Sequence, residues 1–556
     1  MLVRALLACL VAGVAVFAVP ASRAIAPIVT LDSATFTGVA SGSINSFLGI
    51  PFAQPPVGDL RFNLPQPIQP YNGSYSAIAF GNECPQQAIT LPLISGLAAN
   101  ATNFIVNSIF RAVTGPISED CLHLNVWTPV TATPTSKLPV VVWIFGGGFE
   151  LGGTSIYDGS IIVQRSIDLG QPVIMVSMNY RVSAWGFLAS SEVKAAGVGN
   201  LGLQDQREAL RWVQKYITAF GGDPSKVTIW GESAGAISVA MQMLTNGGNT
   251  EGLFRGGFME SGSPIPVGDI THGQGYYDSV VAATGCSGSS DTLQCLREVP
   301  QATLQKAVDA TPNIFSYQSL NLAYVPRVDG VFLTDTPQNL VLEGSVANIP
   351  FITGESVVVY HCDCDDEGTL FSLTTLNITT DSELYTYIEQ TYLSKATSSE
   401  INQALSIYTA DLVSGSPYDT GISNALTPQY KRISAIQGDL VFQAPRRFFL
   451  QHRSGSQNTW SFLSKRLKTL PALGSAHATD ILDVYGGQEL TTYLVQFAND
   501  LNPNGDANLL SWPQYTTSSP QLLTLLDGLI PLTITQDTYR AEGFTYLTNL
   551  SLKYPL

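Results

Sequence analysis

VTIWGESAG, at residues 227–235, is the stretch of sequence from which the fold can be predicted. Its first four residues are β-branched or aromatic and favour a buried strand, while the apolar residues 237–244 continue as a helix. Gly231 and Gly235 flank Ser233 at the junction, where small neighbours let the backbone turn sharply. The stretch therefore predicts a serine hydroxyl raised on a strand, a tight turn and a helix.

Two other segments, residues 138–145 and 172–177, read as strands that are buried on both faces. Residues 204–220 place apolar side chains at helical spacing, and the sequence GGDP at 221–224 ends that helix. Strands that alternate with helices predict an α/β protein with a mostly parallel central sheet flanked by helices. We see no repeat and no flexible linker, so we expect a single domain at residues 25–556.

The composition excludes several classes of protein. The chain has 556 residues, of which 45% are hydrophobic and 13% are charged, so it can bury a large core and is not disordered. Its 27 basic and 43 acidic residues give a net charge of −16, which opposes the electrostatic attraction that drives nucleic-acid binding. We therefore expect no DNA or RNA partner.

The N-terminus has the layout of a secretory signal peptide. Arg4 precedes an apolar run at residues 5–19, and cleavage after Ala21 or Ala24 would remove the signal peptide at residues 1–24. The alternative is an uncleaved anchor helix, which is disfavoured because the run is shorter than the ~20 residues of a membrane span. The sequence therefore predicts a secreted, extracellular protein.

The cysteines and sequons fit the same compartment. Cys9 would leave with the signal peptide, and the six remaining cysteines suit oxidising conditions, although their pairing is open from the sequence alone. Four Asn-X-Ser/Thr sequons are candidate glycosylation sites, and each could equally be unused: Asn72, Asn100, Asn377 and Asn549.

A glycine-rich loop follows the strand predicted at residues 138–145. Gly146, Gly147 and Gly148 let backbone N–H groups turn toward a bound group where a Cβ would block them. An oxyanion hole of this kind combines a backbone N–H from the helix after the serine with N–H groups from such a loop. The alternative is an ordinary flexible loop, which the combination with residues 227–235 disfavours.

A serine nucleophile needs a base, and the chain has five histidines. In this arrangement the chain order is serine, acid and histidine. His123 lies in a predicted strand before the serine, and His272 follows the serine too closely. His361 precedes the best acid candidate, which is described next, and His452 lies in a polar turn at residues 451–455. His477 remains, in a loop of small residues, although a single histidine can also be an ordinary surface residue.

The acid must come from a segment in which four acidic residues crowd together: Asp363, Asp365, Asp366 and Glu367. Gly368 and Thr369 follow Glu367 and allow a turn that points its carboxylate at a neighbouring loop. We expect the other three to form a solvated acidic loop. Glu367 is therefore the best acid candidate, although the crowding of four acids leaves the choice open from the residues alone.

Three blocks of sequence carry a resemblance to a known family. They are FLGIPFA, PPVG and LRF at residues 47–62, SEDCLHLNV at 118–126, and the segment from FGGDP at 220–224 to GESAG at 231–235. Together they resemble the type-B carboxylesterase/lipase family of α/β-hydrolases, which includes fungal secreted lipases, sterol esterases and cholinesterases. The resemblance covers nearly all of the chain after the signal peptide. It implies an α/β-hydrolase fold with large loop insertions.

Carried over residue by residue, the resemblance implies that Ser233 is the nucleophile, Glu367 the acid and His477 the base. The backbone amides that would hold the oxyanion are those of Gly147, Gly148 and Ala234. The implied reaction is hydrolysis of an ester or lipid substrate through an acyl-enzyme, without a metal or cofactor. The histidines also lack the spacing of metal ligands.

Other functions stay open as alternatives. Some relatives have lost the serine and act as binding or adhesion modules, which the full set of serine, acid, histidine and glycines disfavours. A sterol or aryl esterase is an alternative to a triacylglycerol lipase. Choline esters are disfavoured because residues 85–120 contain no Trp or Tyr for a cation site. The sequence leaves the preferred ester and the oligomeric state open.

The resemblance further implies the disulfides Cys84–Cys121 and Cys286–Cys295. It leaves Cys362 and Cys364, which belong to a short insertion around residues 357–362 that is either genuine or an unremoved coding segment. The loop closed by Cys84 and Cys121 is so apolar that it should cover something or dock against lipid. A fixed structural flap is the alternative to a mobile lid that contacts a lipid interface, and we favour the lid.

Overall fold

Eleven strands of the described part of the chain form one large sheet. The computed structural model describes residues 26–89, 97, 101, 103, 113–356 and 366–556. In chain order the strands are β1 Ile28–Leu31, β2 Ser33–Thr37, β3 Val39–Ser41, β4 Ile44–Pro51, β5 Asn72–Ser76, β6 His123–Pro129, β7 Leu138–Ile144, β8 Ile174–Met178, β9 Gly222–Glu232, β10 Gly256–Glu260, β11 Phe351–Ser356, β12 Thr459–Lys465, β13 Gln521–Leu526 and β14 Leu532–Gln536. The order in the large sheet is β14-β13-β12-β11-β10-β9-β7-β8-β6-β4-β3, and β1, β2 and β5 form a small separate sheet.

Several sequence predictions fall outside the described residues. These are the signal peptide, most of the loop between Cys84 and Cys121, and the insertion at residues 357–362. The individual residues concerned are Cys9, Asn100, His361, Cys362, Asp363, Cys364 and Asp365.

The middle of the large sheet is parallel, as predicted. Strands from β8 through β7, β9, β10, β11 and β12 to β13 pair in parallel, whereas β3, β4, β6 and β14 pair antiparallel at the two sides. All of β8 and all but the first residue of β7 are buried. Burial on both faces explains why these strands read as continuous apolar runs.

Helices cover both faces of the sheet. They span Ser160–Asp168, Ser183–Phe187, Ser191–Ala196, Leu201–Tyr216, Ala234–Leu244, Gln274–Ala283, Thr292–Glu298, Gln301–Asp309, Pro337–Leu342, Asp381–Thr391, Ser398–Ile407, Tyr430–Gly438, Ala444–Arg453, Ile481–Val484, Glu489–Asp500 and Ala541–Lys553. In β10, Gly257 faces Val239, while the next residue, Phe258, packs on Phe497. Because successive strand residues point to opposite faces, Ala234–Leu244 covers one face and Glu489–Asp500 the other.

The predicted strands and helix are present with shifted ends. β7 and β8 lie within one or two residues of the prediction, and the helix predicted at 204–220 begins earlier, at Leu201. β9 also begins earlier than predicted, at Gly222, because Gly222 pairs with Leu138 before a shift in register. The fold class predicted from this region is therefore confirmed.

The polar turn predicted at residues 451–455 is wrong for His452, which lies in the helix Ala444–Arg453. His452 Nδ1 lies 2.8 Å from Phe448 O, and the two rings pack with centroids 4.3 Å apart. The helix continues because Phe449 and Leu450 are buried in the core, and this packing outweighs the polar composition of its last turn.

Residues 521–536, near the C-terminus, form a hairpin of β13 and β14 at one side of the large sheet. The turn is closed by the hydrogen bond that Leu526 N donates to Pro531 O at 2.7 Å. Among the described residues, the helices are too short or too polar to cross a membrane.

Candidate active site

Ser233 lies on the sharp turn between β9 and the helix Ala234–Leu244. Its φ of 55° and ψ of −123° are strained for a residue with a Cβ. A Cβ on Gly235 would lie 1.9 Å from Ile144 O, and one on Gly231 would lie 2.4 Å from the Gly235 carbonyl carbon. The turn therefore needs glycine on both sides of the serine, which is the physical reason for the motif.

A chain of hydrogen bonds joins three residues that are far apart in sequence. Ser233 Oγ lies 2.7 Å from His477 Nε2, and His477 Nδ1 lies 2.5 Å from Glu367 Oε2. The three side chains are buried, and hydrogen bonds shielded from water are electrostatically stronger. In this arrangement one ring nitrogen can take the serine proton while the carboxylate stabilises the imidazolium that forms.

The imidazole of His477 packs against two aromatic rings, which also stack on each other with centroids 5.9 Å apart. Its centroid lies 5.3 Å from the ring of Phe371 and 4.6 Å from the ring of Phe442. Of the histidines in the described residues, only His477 lines the cavity at Ser233. The other described histidines lie on β6, in the short helix Ile270–Gly273 and in the helix Ala444–Arg453.

The prediction that Asp366 belongs to a solvated acidic loop is wrong, because this side chain is fully buried. Ser416 Oγ and Tyr418 N each donate to its Oδ1 at 2.9 Å, and Ser475 N donates to its Oδ2 at 3.1 Å. Lys468 forms an ion pair with the same carboxylate at 2.5 Å. Asp366 therefore fastens the acid-bearing turn to the segment that carries His477.

Sequence reasoning missed Ser261 and Asp480, which extend the hydrogen-bond chain. Ser261 Oγ lies 3.0 Å from Glu367 Oε1 and 2.9 Å from Asp480 Oδ2. Burial and the nearby Glu367 raise the pKa of Asp480 to about 7. A hydroxyl has a single proton, so both contacts are satisfied when Asp480 is protonated and donates to Ser261, which donates to Glu367.

Three more carboxyls are buried around this chain. Burial and neighbouring carboxylates raise the pKa of Glu232, Glu260 and Glu355 well above the usual range. Glu232 Oε1 lies 3.5 Å from His477 Nε2. Clusters of carboxyls with raised pKa are typical of functional sites. The sequence offered one signal here, the position of Glu232 next to Ser233.

The glycine-rich loop lies beside the serine. A Cβ on Gly146 would lie 3.0 Å from Ser233 Cβ. Gly147 and Gly148 have φ values of 112° and 64°, and the amides of these two glycines donate no hydrogen bond to another described residue. Ala234 is the first residue of the following helix, whose N-terminus favours negative charge. The loop and the helix can therefore present N–H groups to an oxyanion.

A cavity of about 650 Å³ opens at Ser233 and His477. Its walls include the apolar residues Leu151, Ile156, Ile314 and Phe371. A mostly apolar cavity with a few polar groups at one end suits the hydrophobic part of an ester.

Both disulfides implied by the resemblance are formed. The Cα atoms are 5.0 Å apart in Cys84–Cys121 and 5.8 Å apart in Cys286–Cys295. Three sequon asparagines lie in the described residues, and all are exposed: Asn72, Asn377 and Asn549.

Comparisons with known proteins identify the family. A family model described as "Carboxylesterase family" matches residues 26–540. Lipase 4 of Diutina rugosa is 44% identical over 540 residues, which are 95% of this chain and 96% of that protein. Secreted lipase 1 of Botryotinia fuckeliana is 44% identical over 549 residues, with 94% and 93% covered. A secreted triacylglycerol lipase of Gibberella zeae is 39% identical over 543 residues, with 94% and 90% covered.

A solved structure agrees with these relatives. The crystal structure of EstA from Aspergillus niger matches with a TM-score of 0.80 at 28% identity, covering 96% of this chain and 100% of that one. The predicted α/β-hydrolase fold and the predicted family are therefore confirmed. The chain belongs to the carboxylesterase family and is a carboxylic ester hydrolase.

Proposed function

We propose that this chain is a secreted lipase that cleaves lipid esters through Ser233, His477 and Glu367. One observation carries the proposal, namely the unbroken hydrogen bonds from Ser233 Oγ to His477 Nε2 at 2.7 Å and from His477 Nδ1 to Glu367 Oε2 at 2.5 Å. The apolar cavity at the serine and the lipase names of the relatives support a lipid ester as substrate.

In the first half of the reaction, Ser233 Oγ attacks the ester carbonyl while its proton passes to His477 Nε2. Glu367 keeps Nε2 free to accept that proton and stabilises the imidazolium. The negative oxygen of the tetrahedral intermediate accepts hydrogen bonds from the amides of Gly147, Gly148 and Ala234. The intermediate collapses when His477 returns the proton to the departing alcohol, which leaves an acyl group on Ser233.

In the second half, water replaces the alcohol. His477 takes a proton from the water as it attacks the acyl carbonyl, and the same three amides hold the second oxyanion. The proton then returns to Ser233 Oγ as the fatty acid leaves. His477 accepts or donates the proton in every transfer.

Secretion and a single domain are part of the proposal. The layout of residues 1–24 and the names of two relatives, which are called secreted, support export. The exposed Asn72, Asn377 and Asn549 fit the same route as glycosylation sites. One continuous family match over residues 26–540 supports one domain at residues 25–556.

The loop between Cys84 and Cys121 completes the proposal as a lid that opens at a lipid interface. The described ends of the loop support this position, because Gln87, Ile89 and Val113 line the cavity at Ser233. An open state that exposes apolar surface is stabilised by an interface. Activity on a long-chain ester should therefore rise when the substrate exceeds its solubility limit.

The catalytic assignment is tested by Ser233→Ala. We expect loss of ester turnover and of labelling by an organophosphonate, and a similar loss of turnover in His477→Ala, because these residues act as a unit. Ser225 is an exposed serine at the other end of β9, so Ser225→Ala should retain both ester turnover and labelling. Full labelling of Ser233→Ala would refute the assignment, and no turnover by the unmodified protein would favour a non-catalytic binding homologue.

The substrate class is tested with a chain-length series of p-nitrophenyl esters, together with triolein and a sterol ester. A lipase should prefer the long acyl chains and triolein. A preference for sterol or short aryl esters would replace the lipase proposal with a sterol or aryl esterase.

A further inference from the structure

The loop that joins β13 to β14 carries two exposed apolar side chains. Leu529 is fully exposed, and Ile530 is 71% exposed. The Leu526–Pro531 hydrogen bond closes the loop, and both exposed side chains lie within it. Single exposed apolar side chains need no explanation, whereas several at one edge of a molecule favour an interaction surface.

This loop lies at the same edge of the sheet as the candidate active site. β13 runs parallel to β12, with Leu526 beside Lys465 at their carboxyl ends, and Ser233 follows the carboxyl end of β9. β13 is four strands away from β9, or about 19 Å along the sheet. Leu467 N, in the segment that leads to His477, donates to Asp527 Oδ2 at 3.0 Å.

Two more exposed apolar side chains border the same edge. Leu482 is 43% exposed and follows Ile481, which lines the cavity at Ser233. Ile422 is 75% exposed, in a loop whose Asn424 accepts a hydrogen bond from Ala472 N, close to His477. We name this group the apolar rim, and it consists of Ile422, Leu482, Leu529 and Ile530.

The charges around the apolar rim do not suit an anionic surface. Arg466 is paired with Asp483 and Glu489, and Lys468 is paired with Asp366. The whole chain carries a net charge of −16, so an anionic membrane would repel it. An uncharged lipid phase has no such repulsion and gains from the burial of the apolar side chains.

We propose that the apolar rim inserts into the surface of an uncharged lipid phase, the aggregated ester substrate, and holds the active-site cavity against it. This inference rests on the proposed lipase function. It gives the rim a role that is separate from catalysis on dissolved esters.

The test is a Leu529→Ser/Ile530→Ser double variant of the full chain, with Val331→Ser as the matched control. Val331 is 63% exposed, and the carbonyl oxygen of its neighbour Phe332 accepts a hydrogen bond from Thr245 Oγ1. Thr245 lies at the far end of the helix that begins after Ser233, so Val331 lies at the opposite edge of the sheet. That helix has 11 residues and is about 16 Å long.

Two quantities are measured for each variant, namely partitioning onto phosphatidylcholine-stabilised triolein particles by flotation and turnover of dissolved p-nitrophenyl acetate. We expect the double variant to partition at least tenfold more weakly and to hydrolyse dissolved ester at the unmodified rate, while Val331→Ser changes neither. Unchanged partitioning, or equal weakening by Val331→Ser, would overturn the inference.

Repeating the flotation in a Ser233→Ala background separates this inference from the proposed function. Partitioning that depends on the rim in an inactive protein supports the inference whatever the catalytic residues are. Normal turnover of dissolved ester without rim-dependent partitioning overturns the inference alone. Size-exclusion chromatography provides one more outcome, because a dimer that the double variant converts to monomer would assign the rim to contact between copies and overturn the lipid role.

Discussion

Asp480 and Asp537 are both buried, yet their carboxyls have very different acidity. Asp537 accepts hydrogen bonds from Arg446 at 2.9 Å and from Arg447 at 2.6 Å, and these two charges lower its pKa to about 2 despite burial. Asp480 lies among other carboxyls near Glu367, and its pKa is raised to about 7. Burial is common to both, so the charge of the neighbours decides the difference.

The comparison separates a structural charge cluster from a functional one. Around Asp537, two arginines and the hydroxyl of Tyr515 donate hydrogen bonds to both carboxylate oxygens. The buried negative charge is therefore compensated, and a structural role is enough to explain this cluster. Around Asp480, buried acids outnumber bases, which costs stability. The protein retains that arrangement where Ser233, His477 and Glu367 meet, as expected if the cluster serves catalysis.

The largest expected effect comes from Glu367→Gln. The neutral amide keeps the shape of the side chain but does not stabilise the imidazolium, so kcat should fall by about 10³–10⁴-fold. The free energy of unfolding should stay the same or rise, because one charge leaves a crowded acidic cluster. Steady-state kinetics and urea denaturation check the two effects, and full activity of the variant would remove Glu367 from the triad.

Asp537→Asn should have the opposite pattern. The change leaves two buried guanidinium groups without their carboxylate, which should cost about 3–5 kcal/mol of unfolding free energy. Turnover per folded molecule should stay unchanged, because the cluster does not touch Ser233 or His477. Urea denaturation and active-site titration measure these quantities.

If Asp537→Asn does not fold, Tyr515→Phe is the milder variant. It removes only the 3.0 Å hydrogen bond to Asp537 Oδ2 and should cost about 1 kcal/mol. Lower turnover with unchanged stability in either variant would contradict the division between the two clusters.

Asp480→Asn should change how stability depends on pH. The pKa of Asp480 is raised from 3.8 to about 7 in the folded protein, so this group favours folding below pH 4, and that contribution is lost as the pH rises to 7. Asparagine does not titrate, so the variant does not lose stability in this way as the pH rises. A shift from 3.8 to about 7 corresponds to about 4 kcal/mol, so we expect the variant to gain up to about 4 kcal/mol relative to the unmodified protein between pH 4 and pH 8. A constant difference across this range would show that Asp480 titrates normally.

The smallest effect is expected at a surface pair, Lys194 and Asp269, where both side chains are about 40% exposed. Lys194→Ala should cost less than about 1 kcal/mol, since water screens the pair. Asp269→Ala should cost more, because Asp269 also accepts from Thr271 N at 2.9 Å. Thermal denaturation of the two variants checks this order, and equal costs would show that the hydrogen bond from Thr271 N contributes nothing to stability.

Local signals were enough to predict much of the fold and of the candidate site. Ser233 lies in a short motif whose glycines are required by close contacts with β7, and Gly147 and Gly148 lie in the loop that follows β7. His477 can be predicted by elimination, because the chain contains only five histidines. Glu367 needed the resemblance to relatives, since four acids stand close together in the sequence.

Residues whose surroundings come from distant segments could not be predicted. Asp366 looks solvated in the sequence, but Ser416, Tyr418, Lys468 and Ser475 surround it in the fold. Ser261 and Asp480 meet across 219 residues. No local pattern encodes such contacts, because they depend on how the strands are ordered in the sheet.

The disulfide Cys84–Cys121 has a consequence for how this protein can diversify. It closes a sequence separation of 37 and holds the two Cα atoms 5.0 Å apart, and both cysteines are buried. Glu119, just before Cys121, accepts further hydrogen bonds from Arg61 and Trp185. Substitutions, insertions or deletions at residues 90–112 therefore leave the anchored ends of the segment in place. We expect the segment to behave as an exchangeable cassette, so that segments from relatives can be grafted to alter ester preference without redesigning the sheet that holds Ser233.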